Sequence, residues 1–266
     1  MDIDEINKRN SELQRKRIKV DFLIHDLKVP LAVVEAGITS LLRRAEKFGP
    51  LTEKQEKVLL RTLRNTKTAK MLVNDTLELG KSREGVVNLK EFKLSKLIEQ
   101  TLVEIFDLAD SNICEDIKCC TDFPQLKKTL QEKGLLLFVD EEIWFEEICL
   151  DEIKIKQILR NLLNNALKYR ESRVELTVNR QGGWLVFSVK DDGEGIPAAY
   201  HKKIFDSYFQ MDATGSHSVR GHGLGLAGVM VLVEDMCGKL ILESKEGKGA
   251  NFLVKIPLTI NPPAVS

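Results

Sequence analysis

The chain has 266 residues, and its 40 Lys+Arg are balanced by 40 Asp+Glu for a formal net charge of zero; this argues against a nucleic-acid binder, which normally carries net basic charge or a basic stripe. That length suits two domains better than one core, and a globular chain of this size buries roughly 70–75% of its extended surface, so no disulfide or metal staple is needed. Cys114, Cys119, Cys120, Cys149 and Cys237 form an odd set with no C-x-x-C pair and read as structural thiols of a reducing compartment, while no apolar run approaches the roughly 20 residues of a membrane span and no signal-peptide pattern opens the chain.

From Ile3 to Leu41 a heptad can be laid with a positions at 3, 10, 17, 24, 31 and 38 and d positions at 6, 13, 20, 27, 34 and 41, of which only Asn10 and Arg17 are polar. The pattern predicts one long helix with a continuous seam, Asn10 being a residue type that fixes dimer register. Arg17 weakens the seam, which is either a loose junction for signal input or noise in the heptad. Phe48-Gly49-Pro50-Leu51 breaks this helix, and Thr52 to Gln55 reads as a capping box that opens a second helix running to about Gly80. Two antiparallel helices cannot bury both apolar stripes alone, so a dimeric four-helix bundle is expected, with His25 at a b position facing water.

Lys81 to Gly85 is a short linker, after which the composition turns to mixed strands and helices. Strands are expected at Val86–Phe92, Leu135–Val139, Ile143–Cys149, Val174–Asn179, Trp184–Lys190, Lys239–Ser244 and Asn251–Ile256, with turns at 140–142 and 181–183. Helices are expected at Ser95–Ala109 and Asp151–Arg170. Phe123 to Gly134 looks like an inserted short helix ahead of an extra strand. An α/β sandwich with helices on one face of the sheet is the expected layering.

Several short motifs carry chemistry. His25-Asp26-Leu27-Lys28-Val29-Pro30 places an ionisable nucleophile beside a carboxylate and a proline. Histidine attacks a phosphoryl group only as the neutral ring, and a carboxylate on the other nitrogen fixes that tautomer. Pro30 has no amide hydrogen, so the carbonyl of Asp26 loses its helical partner and a bend is expected there. Asn161, Asn165 and Lys168 share one face of an otherwise apolar helix and call for a polar client. Asp191-Asp192-Gly193-Glu194-Gly195 follows a strand; one carboxylate can accept from an adenine amino group, either Asp191 or its neighbour Asp192, and glycines let the backbone approach the base. Gly221-His222-Gly223-Leu224-Gly225 opens a helix whose amides can face phosphate. Ala198 to Arg220, with Phe205 and Phe209, reads as a lid over this pocket, and Gly247-Lys248-Gly249 fits either a last glycine box or a hairpin turn.

In this order, these boxes resemble those of sensor histidine kinases over nearly the whole chain. The resemblance implies an α+β protein: an all-α helical hairpin that forms the dimeric bundle, then an α/β sandwich that binds ATP. The expected domains are a coiled-coil signalling helix at 1–19, a dimerisation and phosphoacceptor domain at 20–82, a catalytic domain at 86–258 and a tail at 259–266. It implies ATP-dependent phosphorylation of His25 with Asp26 as its partner, followed by transfer to an aspartate of a response regulator receiver domain. Asn165 matches a residue that binds Mg²⁺. Asn161, Lys168, Tyr169, Asp191, Gly193, Gly195, Gly221, Gly223, Leu224 and Gly225 match nucleotide contacts, Asp191 by motif position.

The implied setting is a homodimer at a cytoplasmic location. An upstream sensor is expected either in a longer, membrane-tethered receptor or as a separate chain, with no membrane or nucleic-acid contact by this segment. Val29 stands where Thr or Asn often orients water to hydrolyse the partner's phospho-aspartate, so weak phosphatase activity is expected. His222, Ser207 and Gln210 depart from the common residues at their positions. Within the same ATPase superfamily the competing reading is a gyrase, chaperone or mismatch-repair ATPase, which lacks a histidine box; from another class it is a dimeric scaffold that binds without transferring phosphate. Whether transfer runs within or between subunits is not legible in Phe48 to Leu51.

Overall fold

The computed structural model describes residues 26–82, 87–109, 111–120, 122–206, 209 and 225–259. The signalling helix at 1–19, Arg17, His25, Ser207, Gln210, Gly221, His222, Gly223, Leu224 and most of the expected lid lie outside these residues. The chain divides into two compact units, Met1–Lys81 and Ser82–Ser266.

The first unit is helical. Helix α1 covers residues 26–43 and continues through Pro30. After Arg44 a single turn, α2 (Ala45–Phe48), precedes Gly49, whose φ of 84° turns the chain away. Helix α3 (Glu53–Ser82) opens on the expected capping box: the Thr52 amide donates to Gln55 Oε1 at 2.8 Å and the Gln55 amide to Thr52 Oγ1 at 3.3 Å. Lys70 Nζ on α3 donates to Glu35 Oε2 on α1 at 2.8 Å, and Ile38 and Thr66 are buried. Leu27 and Val34, both seam positions, stay exposed, as do Val29, Val33, Val58 and Leu60. A hairpin this poor in buried apolar area is not a self-sufficient core.

The second unit is a sheet covered on one face by helices. Strand β1 (Lys90–Lys93) pairs antiparallel with β3 (Glu147–Leu150) in a small ribbon. The main sheet has the order β2-β4-β5-β7-β6, with β2 (Leu135–Val139) parallel to β4 (Val174–Gln181) and antiparallel pairing across β5 (Trp184–Asp191), β7 (Ala250–Pro257) and β6 (Lys239–Ser244). Alternation of side chains sends Leu185, Phe187 and Val189 of β5 and Phe252, Val254 and Ile256 of β7 into the core. Helix α8 (Glu152–Tyr169) lies in the middle of the helical layer, packed on β4 and β5 between α4 (Leu94–Ala109) and α9 (Gly225–Asp235).

Four expectations fail locally. Ile143 to Cys149 is not one strand: α7 (Glu141–Phe145) comes first, and β3 begins at Glu147. Asp140, Glu141 and Glu142, read as a turn, instead place acidic side chains at a helix N-terminus, where the dipole favours them. Burying the adjacent Ile143 and Trp144 suits a helix better than an alternating strand, and the Trp144 ring stacks on Phe123 at 4.1 Å. The first strand spans only Lys90–Lys93, and α3 runs through Ser82 into what read as linker. The short helix and strand expected from Phe123 onward are present: after α5 (Ser111–Lys118), α6 (Phe123–Glu132) starts on the Asp122 side chain and buries Leu126 and Leu130. The strand, β2, is an integral edge of the main sheet rather than an appendage.

Candidate functional site

The inward row of β5, Leu185, Phe187 and Val189, ends at Asp191, which puts a carboxylate where the next core side chain would be. Asp191 is 6% exposed. Its Oδ1 accepts from the Gly193 amide at 3.0 Å and the Ala250 amide at 3.3 Å, and its Oδ2 has no partner among the described residues. Burial pushes this carboxyl above its ordinary range, against the amides of Gly193, Ala250 and Asp191 itself that favour its charge; the neighbouring Asp192 raises it further.

Asp192 has a different job. Its carboxylate collects the Ser172 hydroxyl at 2.5 Å and the amides of Glu171 at 3.0 Å, Ser172 at 3.1 Å and Arg173 at 2.9 Å. Some desolvation pushes it up, but the Ser172 hydroxyl and these amides outweigh that and hold it well below the usual carboxylate range. Asp192 is thus spent on the loop after α8, while Asp191 Oδ2 bonds to no other described residue.

The glycines of this loop and of the β6–β7 hairpin let backbones pack closely. A Cβ on Gly193 would collide with the Tyr169 carbonyl, one on Gly195 (φ 72°) with the Lys245 carbonyl, and one on Gly249 (φ 75°) with the Asp191 carbonyl. The loop after β5, the end of α8 and the hairpin between β6 and β7 therefore meet backbone to backbone. Ser244 was missed in the sequence and joins two of them, accepting from the Ile196 amide at 2.9 Å and donating to the Gly249 carbonyl at 2.7 Å. The signal was available: Leu240, Leu242 and Ser244 form the more covered row of β6. Gly247 and Gly249 sit in the hairpin turn, both at positive φ, and the Gly247 amide donates to the Glu194 carbonyl at 2.7 Å.

Helix α8 begins at Asp151, whose Oδ1 caps the Lys154 amide at 3.1 Å while Oδ2 holds the Asn88 amide. Buried Asn161 donates from Nδ2 to the Gly225 carbonyl at 3.4 Å, so the N-terminal end of α9 lies beside this stretch of α8. Asn165, one turn on, is half-buried and its side chain bonds to no described residue. Lys168 and Tyr169 are paired with each other: Lys168 Nζ lies 3.0 Å from the Tyr169 hydroxyl and 4.6 Å from the ring centroid. Asp26 is exposed on α1 in the other unit. The structure thus brings Asn161 and Gly225 together, and Asp191 with Gly193, while His25, Gly221, Gly223 and Leu224 lie outside the described residues.

An adenine amino group and phosphates fit this arrangement: Asp191 Oδ2, which bonds to no other described residue, can accept a hydrogen bond, and the first amides of α9 lie at a helix N-terminus with its partial positive charge. No group of three or more His, Cys, Asp or Glu able to hold a metal occurs among the described residues. A magnesium ion would thus rely on the Asn165 carboxamide, phosphate oxygens and water, the mode this hard cation favours in nucleotide sites.

Residues 150–260 match the family of histidine kinase-, DNA gyrase B- and HSP90-like ATPases. The circadian input-output histidine kinase CikA of Synechococcus elongatus is 33% identical over 88% of this chain and 29% of that protein. The sensor histidine kinase YkoH of Bacillus subtilis is 30% identical over 85% of this chain and 44% of that protein. Full-length ShkA, solved in complex with AMPPNP, superposes with a TM-score of 0.61 at 25% identity, over 92% of this chain and 47% of that one. The chain spans less than half the length of these curated relatives. Residues 150–260, with helix α8 and the loop at Asp191, thus carry a GHKL-type ATPase domain, and the chain is similar over most of its length to the kinase region of sensor histidine kinases.

Proposed function

We propose that this chain is the kinase part of a two-component system, phosphorylating His25 from ATP and passing the phosphoryl group to an aspartate of a response regulator receiver domain. The observation that carries the reading is the Asp191 carboxylate: buried, anchored through Oδ1 by two amides, and open at Oδ2. In this reading Oδ2 accepts the adenine amino group and the amides at the start of α9 hold phosphate, with Gly221, Gly223 and Leu224 adding to that cradle. Asn161 keeps α9 against α8, while Lys168 and Tyr169 close the nucleotide's exposed side. Asn165 would hold a magnesium ion, which when bound would offset phosphate charge. Phosphoryl transfer asks for this positioning and charge compensation more than for covalent help from the protein.

In the transfer step a neutral His25 nitrogen forms the N–P bond as the bond to ADP breaks, and Asp26 takes the hydrogen bond from the other ring nitrogen. The exposed seam positions Leu27 and Val34 support a homodimer through the hairpin. Among the described residues no helix is long and apolar enough to cross a membrane. The input signal would reach the hairpin from an upstream domain or chain. Labelled ATP with Mg²⁺ tests the reading: wild type takes up label, His25→Ala takes up none yet still binds nucleotide, and Asn165→Ala binds nucleotide without magnesium dependence. Equal labelling of wild type and His25→Ala would defeat it.

A further inference from the structure

We propose that Lys154 and Asp235 are positioning residues that set the axial register of α9 against α8, and so hold the phosphate end of the pocket in place; this rests on the nucleotide-binding reading above. Lys154 Nζ donates to Asp235 Oδ2 at 2.6 Å, with both side chains only 11% exposed and 81 positions apart in sequence. The pair joins the first turn of α8 to the last residue of α9. At the other end of α9, Asn161 reaches the Gly225 carbonyl. Two cross-links at opposite ends make the helices antiparallel, and the ion pair stands a full helix length, about 16 Å, from the amides that face phosphate.

Between its two cross-links α9 buries Ala227, Gly228, Val229, Leu232 and Val233, and the first three, nearest the phosphate end, are short and form shallow ridges. A buried ion pair behaves differently: it adds little net stability over a well-packed apolar pair, but its energy depends on one distance, and fixing register is its best-attested use. Asp191 and Gly193 sit on the sheet and its loop, so the base end does not depend on α9. The two ends of the nucleotide should therefore respond differently when the pair is removed.

The test uses the whole chain with Lys154→Met, Asp235→Asn, the double variant Lys154→Met/Asp235→Leu, and Lys154→Arg. Binding of AMPPNP with Mg²⁺ and of adenosine is measured by calorimetry, beside thermal melts. The double variant is expected to melt near wild type, to bind AMPPNP about five- to tenfold more weakly, the worth of a displaced helix terminus, and to bind adenosine within twofold of wild type. Lys154→Arg, which keeps the pair, is expected to retain the affinity that Lys154→Met loses. The register role is overturned if the double variant binds AMPPNP like wild type, if AMPPNP and adenosine weaken in parallel, or, should the double variant not fold, if Lys154→Arg loses as much as Lys154→Met. Wild type binding neither ligand would instead overturn the pocket itself, and the inference with it.

Discussion

Asp191 and Asp192 are adjacent carboxylates that should fail in opposite ways when each becomes asparagine. For Asp191→Asn the Oδ1 acceptor for Gly193 and Ala250 survives, while the open oxygen becomes an NH₂ group. A donor would then face the adenine amino group, and loss of one hydrogen bond to a charged acceptor costs about 1.5–3 kcal/mol, roughly ten- to a hundredfold in affinity. Stability moves the other way. Because burial raises the Asp191 pKa, ionisation is harder in the folded chain than in the unfolded one. Stability is therefore full below the unfolded value and is drawn down as pH rises through the folded value, and Asp191→Asn removes that loss at neutral pH.

Asp192 is depressed, so its contribution is present above the unfolded value and lost as pH falls through the folded one. Its four donors sit at the surface, and solvent screening discounts them to about 1–2 kcal/mol in total. For a unit of this size that is about 2–8 °C in Tm. Asp192→Asn should thus melt lower and show a flatter acid limb, with AMPPNP affinity within about threefold of wild type. Thermal melts from pH 3 to 8 beside AMPPNP titrations decide the matter. An Asp191→Asn chain that melts lower yet binds normally, or an Asp192→Asn chain that loses nucleotide at unchanged Tm, would refute the assignment.

Val34→Glu, a charge placed on the exposed seam of α1, should shift the chain toward monomer in light scattering; an unchanged mass would remove the hairpin as the dimer contact. Val29→Thr should raise dephosphorylation of a phosphorylated receiver by about tenfold, the worth of one positioned hydrogen bond, and an unchanged rate would show that the Val29 side chain is not the limit. Thr52→Ala removes the hydroxyl arm of the capping box at α3 while its amide still donates to Gln55, and should cost about 1 kcal/mol in chemical denaturation; no change in midpoint would mean that the hydroxyl arm is not felt by the unfolding unit.

Periodicity made the long elements readable. Helix α8 and strands β4 to β7 were legible to within two residues because alternation or a 3.6-residue stripe sets which side chains go inward. Asp191 was singled out by its motif, but the strand was expected to end at Lys190, and its place as the last inward residue of β5 came with the structure. Segments whose structure depends on distant partners were not. Glu141–Phe145 carries a short apolar run that suits strand or helix alone, and the stack of Trp144 on Phe123 favours helix. The roles of Asp192, Ser244 and the Lys154–Asp235 pair rest on contacts between segments 19 to 81 positions apart, which local pattern cannot encode. The glycines after β5 were read as letting the backbone approach the base; that a Cβ on Gly193 or Gly195 would also strike a backbone carbonyl of another segment was not legible in the sequence.

The most direct test of the account is to find where the phosphoryl group goes. After incubation with ATP and Mg²⁺, mass spectrometry under alkaline conditions should locate phosphate on the His25 peptide, stable to base and lost in acid, absent in His25→Gln and strongly reduced in Asp191→Asn. Phosphate on a hydroxyl or carboxylate side chain instead, or label that persists in His25→Gln, would contradict it.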